Sequence, residues 1–331
     1  MILSPICAIP VARGPGIEER TQKEQEAFTM TLEAESISPA VQPTEAGRTR
    51  KRWTNWLFVI PAILFQFFWG WYPMVVAIFL SLTNAPIRGQ ITFRWFENYS
   101  RLALDPLLPM AFRVTLLYAG LSILLTFFIP VLVAILLMEM PPRTMRIMMI
   151  LWYLPLSGIA STLFWQYLYN ENFGIFQYIA TAVLGLPQQA FLSSERWVLF
   201  WLIVPGILMY GPGLYYMAGL QSIPKSYYEA AEVEGAGFWR KIWTISLPRL
   251  RPIISMTLLF SIIGSLQEFS WMDLMTRGGP NGASRTVVMY MFNLLNNGRI
   301  GDATALACML FAAIMIIVLL YRLFFKSDLD V

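Results

Sequence analysis

The chain has no histidine among its 331 residues. That removes the commonest general base, the usual proton shuttle and the most frequent metal ligand. Cysteine is nearly absent too. Cys7 and Cys308 stand far apart, and Cys308 lies in an apolar run, so neither a disulfide framework nor a thiolate metal site is expected. No Gly-x-x-x-x-Gly-Lys-Ser/Thr string occurs, which argues against nucleotide hydrolysis by this chain. Charge is scarce: only 13% of residues are charged, against about a quarter in ordinary soluble domains. What fills the space is apolar, at 57% of the chain. A net charge of +4, scattered along the sequence, is too weak to point to nucleic acid. The composition belongs to a membrane protein.

A helical span needs about 20 mainly apolar residues. Six stretches qualify: 56–82, 110–138, 145–169, 197–220, 253–275 and 303–325. The expected fold class is therefore all-α, a polytopic membrane protein with six transmembrane helices. Pro61, Pro73, Pro130, Pro155, Pro205 and Pro212 fall inside spans, where neighbouring helices and local kinks tolerate them. Orientation follows the basic residues. Arg48, Arg50, Lys51, Arg52, Arg143, Arg146, Lys225, Arg240, Lys241, Arg249, Arg251, Arg322 and Lys326 fall in one set of loops. The opposite set holds fewer: Arg88, Arg94, Arg101, Arg196, Arg277, Arg285 and Arg299. The richer set is expected in the cytoplasm, with both termini. Trp53, Trp56, Trp95, Trp197 and Tyr321 lie near span ends, where aromatic rings anchor at the headgroups. Residues 1–50 read as a separate, disordered cytoplasmic tail, because 1–47 is rich in Glu, Pro, Thr and Ser with little apolar periodicity. Residues 51–331 form the membrane domain.

One polar loop, residues 221–252, has a structure of its own. Ser226-Tyr227-Tyr228-Glu229 fits a capping box, with Ser226 as N-cap and Glu229 at N3. A short helix over 227–234 would end at Gly235, which can adopt a left-handed C′ conformation. A second helical stretch, 238–245, places Phe238, Ile242 and Ile245 on one face and ends at Leu247-Pro248. Pro252 marks the start of the next span. Ala230 and Ala231 leave the first helix shallow enough for a partner to approach. Local physics equally allows a hairpin lying on the lipid headgroups.

The fifth span carries polar residues that lipid disfavours. Ser261, Ser265, Glu268 and Met272 recur at helical spacing on one face, flanked by Gly264. An ionisable residue inside a span costs about 3 kcal/mol on insertion scales, so it marks a functional site unless it reaches water. Glu268 fits either description.

Glu229-Ala230-Ala231-x-x-x-Gly235-Ala236, with Ile245-x-Leu247-Pro248 downstream, resembles the EAA loop of ABC-importer permeases. The block 274–280, Leu-Met-Thr-Arg-Gly-Gly-Pro, and Gly301-x-Ala303-x-Ala305 are similar to the carbohydrate and glycerol-phosphate branch, the maltose-type permeases. The resemblance runs from about Trp53 to the C-terminus. It implies a coupling role for Glu229, Ala230, Ala231, Gly235 and Ala236, which would seat in a cleft of a cytoplasmic ATPase. It also implies a solute cavity lined by the fourth and fifth spans: Tyr210, Gly211, Tyr215, Ser261, Gly264, Ser265 and Glu268. The Gly211-Pro212-Gly213 kink would break the fourth helix near that cavity. The implied partners are a second permease, two copies of an ATPase carrying ATP and Mg, and an extracytoplasmic solute-binding protein; the resemblance gives the outer loop 276–282 a role in gating and in contact with that protein. No cofactor is expected on this chain. The expected place is a bacterial or archaeal cytoplasmic membrane, and the expected solute a sugar or sugar-like molecule. Three rival readings stand beside this one: a secondary transporter with an ion site at Glu268, an intramembrane enzyme, and an ABC permease for another solute.

Overall fold

The structure is a computed structural model that describes residues 56, 58–86, 90–153, 159–209, 211 and 213–324. Tyr210, Pro212 and the whole N-terminal tail lie outside the described residues. The chain divides into two compact units, residues 1–70 and 71–331. The described part of the first is an apolar helix whose aromatic side chains are exposed, among them Phe58, Phe65 and Trp69.

The second unit is all-helical. One isolated bridge, Thr83 to Phe93, is its sole β feature among the described residues. We number its principal helices α1 (Tyr72–Ser81), α2 (Glu97–Ala103), α3 (Leu107–Thr126), α4 (Ile129–Met138), α5 (Pro142–Tyr153), α6 (Ile159–Leu168), α7 (Val198–Met209), α8 (Leu214–Gln221) and α9 (Lys225–Val233). A continuous run, α10 (Phe238–Leu266), follows. The chain ends with α11 (Ser270–Thr276), α12 (Val287–Asn296) and α13 (Ile300–Phe324). Among the described residues, four helical runs are long and apolar enough to cross a membrane: Phe58–Ser81, Leu107–Met138, Phe238–Leu266 and Ile300–Leu323. The third expected span carries α5 and α6, with 154–158 outside the described residues, and the fourth carries α7 and α8, which starts from the extended backbone of Gly213.

Three apolar clusters hold the helices together. Around α13, Ala305 and Leu306 pack with Leu102, Val287 and Leu266. Between α6, α7 and α11, Trp165, Tyr169, Leu202 and Met272 pack with Tyr118 of α3. Near the polar loop, Val131, Ala134 and Ile135 of α4 pack with Tyr216, Leu220, Ile242 and Leu250. The last helix lies antiparallel to α10. Its start shares a cluster with Leu266, while Tyr321 near its end donates to the Ser255 carbonyl at 2.7 Å and also meets the Ser255 hydroxyl at 2.7 Å. The polar loop and the start of α13 therefore sit at opposite ends of the bundle.

Two local expectations are corrected. The fifth span is not one helix, because α10 stops at Leu266 and α11 restarts at Ser270. Met272 thus leaves the face shared by Ser261 and Ser265 and is fully buried in the α6–α7 cluster. Leu247-Pro248 does not end the second loop helix. Residues 242–246 widen into a π-turn, with Leu247 N–H bonded to the Ile242 carbonyl, and the helix continues through Pro248 and Pro252 to Leu266. The wide turn re-pairs the backbone ahead of a proline that cannot donate. A separate finding concerns 277–299. Beyond the turn, it contains the ten-residue helix α12, which no span-length search would find.

Candidate functional site

The loop between α8 and α10 folds as two short helices, but it starts differently from the capping-box expectation. The first helix begins at Lys225 with Pro224 as N-cap, and no side chain caps it. Ser226 is therefore inside the first turn. Pro224 has φ −58° and ψ 134°, so its ring already fixes the extended entry that a polar cap would otherwise set. The C-terminus is as expected. Gly235 has φ +76°. Its N–H bonds the Glu232 carbonyl at 2.9 Å, and Ala236 N–H bonds that of Ala231 at 2.8 Å. These two bonds make a Schellman closure. The bend presents Glu229, Ala230 and Gly235 to solvent, with Ala231 and Ala236 half-buried. It also presents side chains that the sequence reading passed over: Val233, at 90% the most exposed large apolar residue among the described residues, and Trp239 and Trp243. Exposed large apolar side chains clustered on a polar loop mark an interaction surface.

Two side-chain contacts tie α9 to α10. Lys241 Nζ donates to Glu232 Oε1 at 2.8 Å, and the Tyr228 and Ser246 hydroxyls meet at 3.0 Å. Phe238, Ile242 and Ile245 face inward onto the α4–α8 cluster, as their spacing predicts.

Twenty residues beyond Lys241, about 30 Å along the helix, α10 forms one wall of a cavity of about 250 Å³. Ser261, Gly264, Ser265 and Glu268 line it, with Tyr215 from α8. Five of the seven expected lining residues thus converge. Gly211 is not among the lining residues: a Cβ there would meet the Trp152 side chain at 3.1 Å. The opposite wall comes from α3, with Tyr118, Ser122 and Thr126. Those residues gave no sequence signal, since hydroxyls at helical spacing in an apolar run usually bond back to their own helix. Thr126 does so, to the Ser122 carbonyl at 2.8 Å.

Glu268 owes its position to the break in the fifth span. Its Oε1 accepts from Trp271 N–H at 3.0 Å, which satisfies an orphan donor at the start of α11. Its backbone carbonyl accepts from Thr286 Oγ1 at 2.9 Å. The Trp271 indole N–H is anchored on the Leu202 carbonyl at 2.9 Å. Glu268 is half-buried, its carboxylate held by the Trp271 N–H and its backbone by Thr286. It is the one charged group among the cavity's lining residues, which otherwise offer hydroxyls and aromatic faces. Such a lining matches polyhydroxylated solutes, by hydrogen bonds to hydroxyls and ring contacts to C–H surfaces.

Residues 143–327, more than half of the chain, match the family described as binding-protein-dependent transport system inner membrane component. The chain belongs to that family. A trehalose/maltose transport system permease of Thermococcus litoralis is 30% identical over 177 residues, covering 53% of this chain and 59% of that relative. A sulfoquinovosyl glycerol transport system permease of Agrobacterium fabrum is 29% identical over 290 residues, covering 82% of this chain and 92% of that protein. A multiple sugar-binding transport system permease of Streptococcus mutans is 27% identical over 277 residues, with 81% and 93% covered. The fold is shared with a chain of a bacterial alginate ABC transporter, solved in complex with an alginate pentasaccharide-bound periplasmic protein. The TM-score is 0.75 at 22% identity, over 85% of this chain and 96% of that one. The permease is thus membrane-embedded, a transport subunit of an ABC importer rather than an enzyme, with hydrolysis on a separate chain. Membership sets aside the secondary-transporter and enzyme readings.

Proposed function

We propose that this permease moves a sugar or sugar-like solute across a bacterial or archaeal cytoplasmic membrane by alternating access. The observation that carries the reading is one continuous helix, α10, with the EAA loop at its start and a hydroxyl-lined cavity near its end. Glu229, Ala230, Ala231, Gly235 and Ala236 form the ATPase-coupling surface. Tyr215, Ser261, Gly264, Ser265 and Glu268 contact the solute. The sugar assignment draws on the relatives, whose names specify trehalose/maltose, sulfoquinovosyl glycerol and multiple sugars. The chain crosses the membrane six times with both termini in the cytoplasm, the third span comprising α5 and α6 and the fourth α7 and α8. It pairs with a second, different permease, two ATPase copies and a solute-binding protein. ATP-driven closure of the ATPases displaces the coupling loop, and α10 carries that displacement to the cavity wall, switching two rigid arrangements.

The test is sugar uptake and ATP hydrolysis by the reconstituted complex. Glu229→Arg should leave the complex assembled and abolish stimulated hydrolysis, since it places a cation where the ATPase cleft receives a carboxylate. Gly264→Trp should keep stimulated hydrolysis and lose uptake, because a Cβ at Gly264 meets nothing within 4 Å and a larger side chain can project into the cavity. Normal uptake in both variants would overturn the assignment.

A further inference from the structure

The solute cavity is unbalanced in charge. Glu268 is the sole carboxylate in its lining, and neither arginine nor lysine is among the described lining residues. The carboxylate also has no ion pair among the described residues. One oxygen, Oε1, accepts from Trp271 N–H at 3.0 Å. A carboxylate has about four lone-pair sites, so that bond positions the group and leaves acceptor capacity over.

The hydroxyls around it are unbalanced in the same direction. A serine or threonine hydroxyl has one proton and two lone pairs. Ser265 gives its proton to the Ile262 carbonyl at 3.1 Å, and Thr126 gives its own to the Ser122 carbonyl at 2.8 Å. Thr257 donates to the Ile253 carbonyl at 2.8 Å, so the Tyr216 hydroxyl, 2.6 Å from Thr257 Oγ1, is the donor in that pair. Ser265, Thr126 and Tyr216 therefore offer a solute lone pairs rather than protons, and Glu268 adds a negatively charged acceptor. The Tyr215 ring supplies an apolar face beside them, packed edge-on against Tyr216 with centroids 4.6 Å apart.

We propose that Glu268 makes this cavity selective by charge, so that it takes neutral and amino sugars and rejects acidic ones such as uronates. This deepens the sugar reading above and depends on it. A wall rich in acceptors calls for a solute rich in donors, which hydroxyl and ammonium groups supply. A solute carboxylate or sulfonate supplies none. It would also meet Glu268 as a like charge at a site partly removed from water, with no cation among the described lining residues to offset it. Capping Trp271 does not require the charge, because a glutamine carbonyl can accept the same N–H. The negative charge is what discriminates between solutes.

The experiment measures equilibrium binding to the purified complete transporter at pH 7 with binding protein omitted, so that the preference of the permease is read apart from that of the protein that delivers the solute. The probes are glucose, glucosamine and glucuronate, alike in ring and different in charge, with maltose and trehalose as larger neutral sugars. The wild type should hold glucose and glucosamine at least about tenfold more tightly than glucuronate, as one like-charge contact demands. Glu268→Gln should tighten glucuronate by at least about tenfold, weaken glucosamine and leave glucose within about threefold. A purely structural role for Glu268 would shift all three together. Glucuronate bound by the wild type as tightly as glucose, or a glucuronate-to-glucose ratio unchanged in Glu268→Gln, would overturn the proposal. If neither form binds any of the five sugars, or takes them up with binding protein present, the sugar reading fails and the charge selection falls with it. Should the glutamine variant not assemble, Ser261→Lys brings a cation to the same wall and should likewise tighten glucuronate relative to glucose. An unchanged ratio there would refute the charge argument.

Discussion

Replacing Gly301 by alanine should destabilise the permease severely, because the last helix starts with no room for a methyl group. A Cβ at Gly301 would stand 2.3 Å from the Thr83 carbonyl oxygen and 2.9 Å from Asn98 Nδ2. Backbone oxygen cannot swing aside, so α13 must retreat by about 1 Å to reach ordinary contact. Asn98 is 1% exposed and donates to both the Ser81 and Thr83 carbonyls at 2.8 Å. Overpacking costs about 1–3 kcal/mol. Stranding part of the Asn98 pair adds about 1–3 kcal/mol. The alanine's higher helix propensity returns at most about 1 kcal/mol. The net loss is about 1–6 kcal/mol, on the balance of these terms. The assay is reversible denaturant unfolding in detergent, followed by tryptophan fluorescence, with Gly120→Ala as control. Gly120 sits within α3, and a Cβ there meets nothing within 4 Å. Its substitution should be neutral or stabilising. If the two variants unfold at the same midpoint, the close approach of α13 to the 83–98 segment does not constrain this helix.

Two further outcomes follow from contacts at the two ends of the bundle. Reversing either charge of the Lys241–Glu232 pair should lower solute transported per ATP by up to about fivefold, the scale of a partly exposed ion pair. The double reversal Glu232→Lys with Lys241→Glu should restore it, and failure of the rescue would show that the pair does not join α9 to α10 during transport. At the other end, the Tyr290 hydroxyl bond, aided by Leu107 N–H, holds the Asp105 carboxyl below its usual pKa. A depressed folded value contributes stability that is fully present above the unfolded pKa of about 3.9 and is lost as pH falls through the folded value. Acid unfolding below about pH 4 should therefore be less steep in Asp105→Asn than in wild type. Identical acid limbs would refute the role of this bond.

The Glu229–Ala236 bend was legible because its determinants are local. A glycine at the helix end is enough to predict the left-handed closure that Gly235 makes, whatever surrounds it. The same holds for the inward face of Phe238, Ile242 and Ile245, which helical spacing alone assigns. The start of that loop was misread for a local reason as well. Ser226 and Glu229 fit a capping box, but Pro224 with its fixed φ moved the helix start two residues earlier.

Elsewhere, residues distant in sequence decided the outcome. The apolar run 253–275 contains nothing that must break at 267–269. The break is held by Glu268 capping Trp271 and by Thr286 bonding the Glu268 carbonyl, eighteen residues away. Conversely, Leu247-Pro248 looks like a stop, yet the π-turn at 242–246 carries the helix through it. The hydroxyl wall from Tyr118, Ser122 and Thr126 has no spacing that singles it out. The sequence by itself determined the membrane class, the Glu229–Ala236 bend and the polar face of the fifth span, since composition, propensity and helical period are properties of neighbours along the chain. Only the tertiary structure decided which second wall closes the cavity, where the fifth span breaks and which groups surround Glu268. Each of those depends on groups brought together across the bundle by packing.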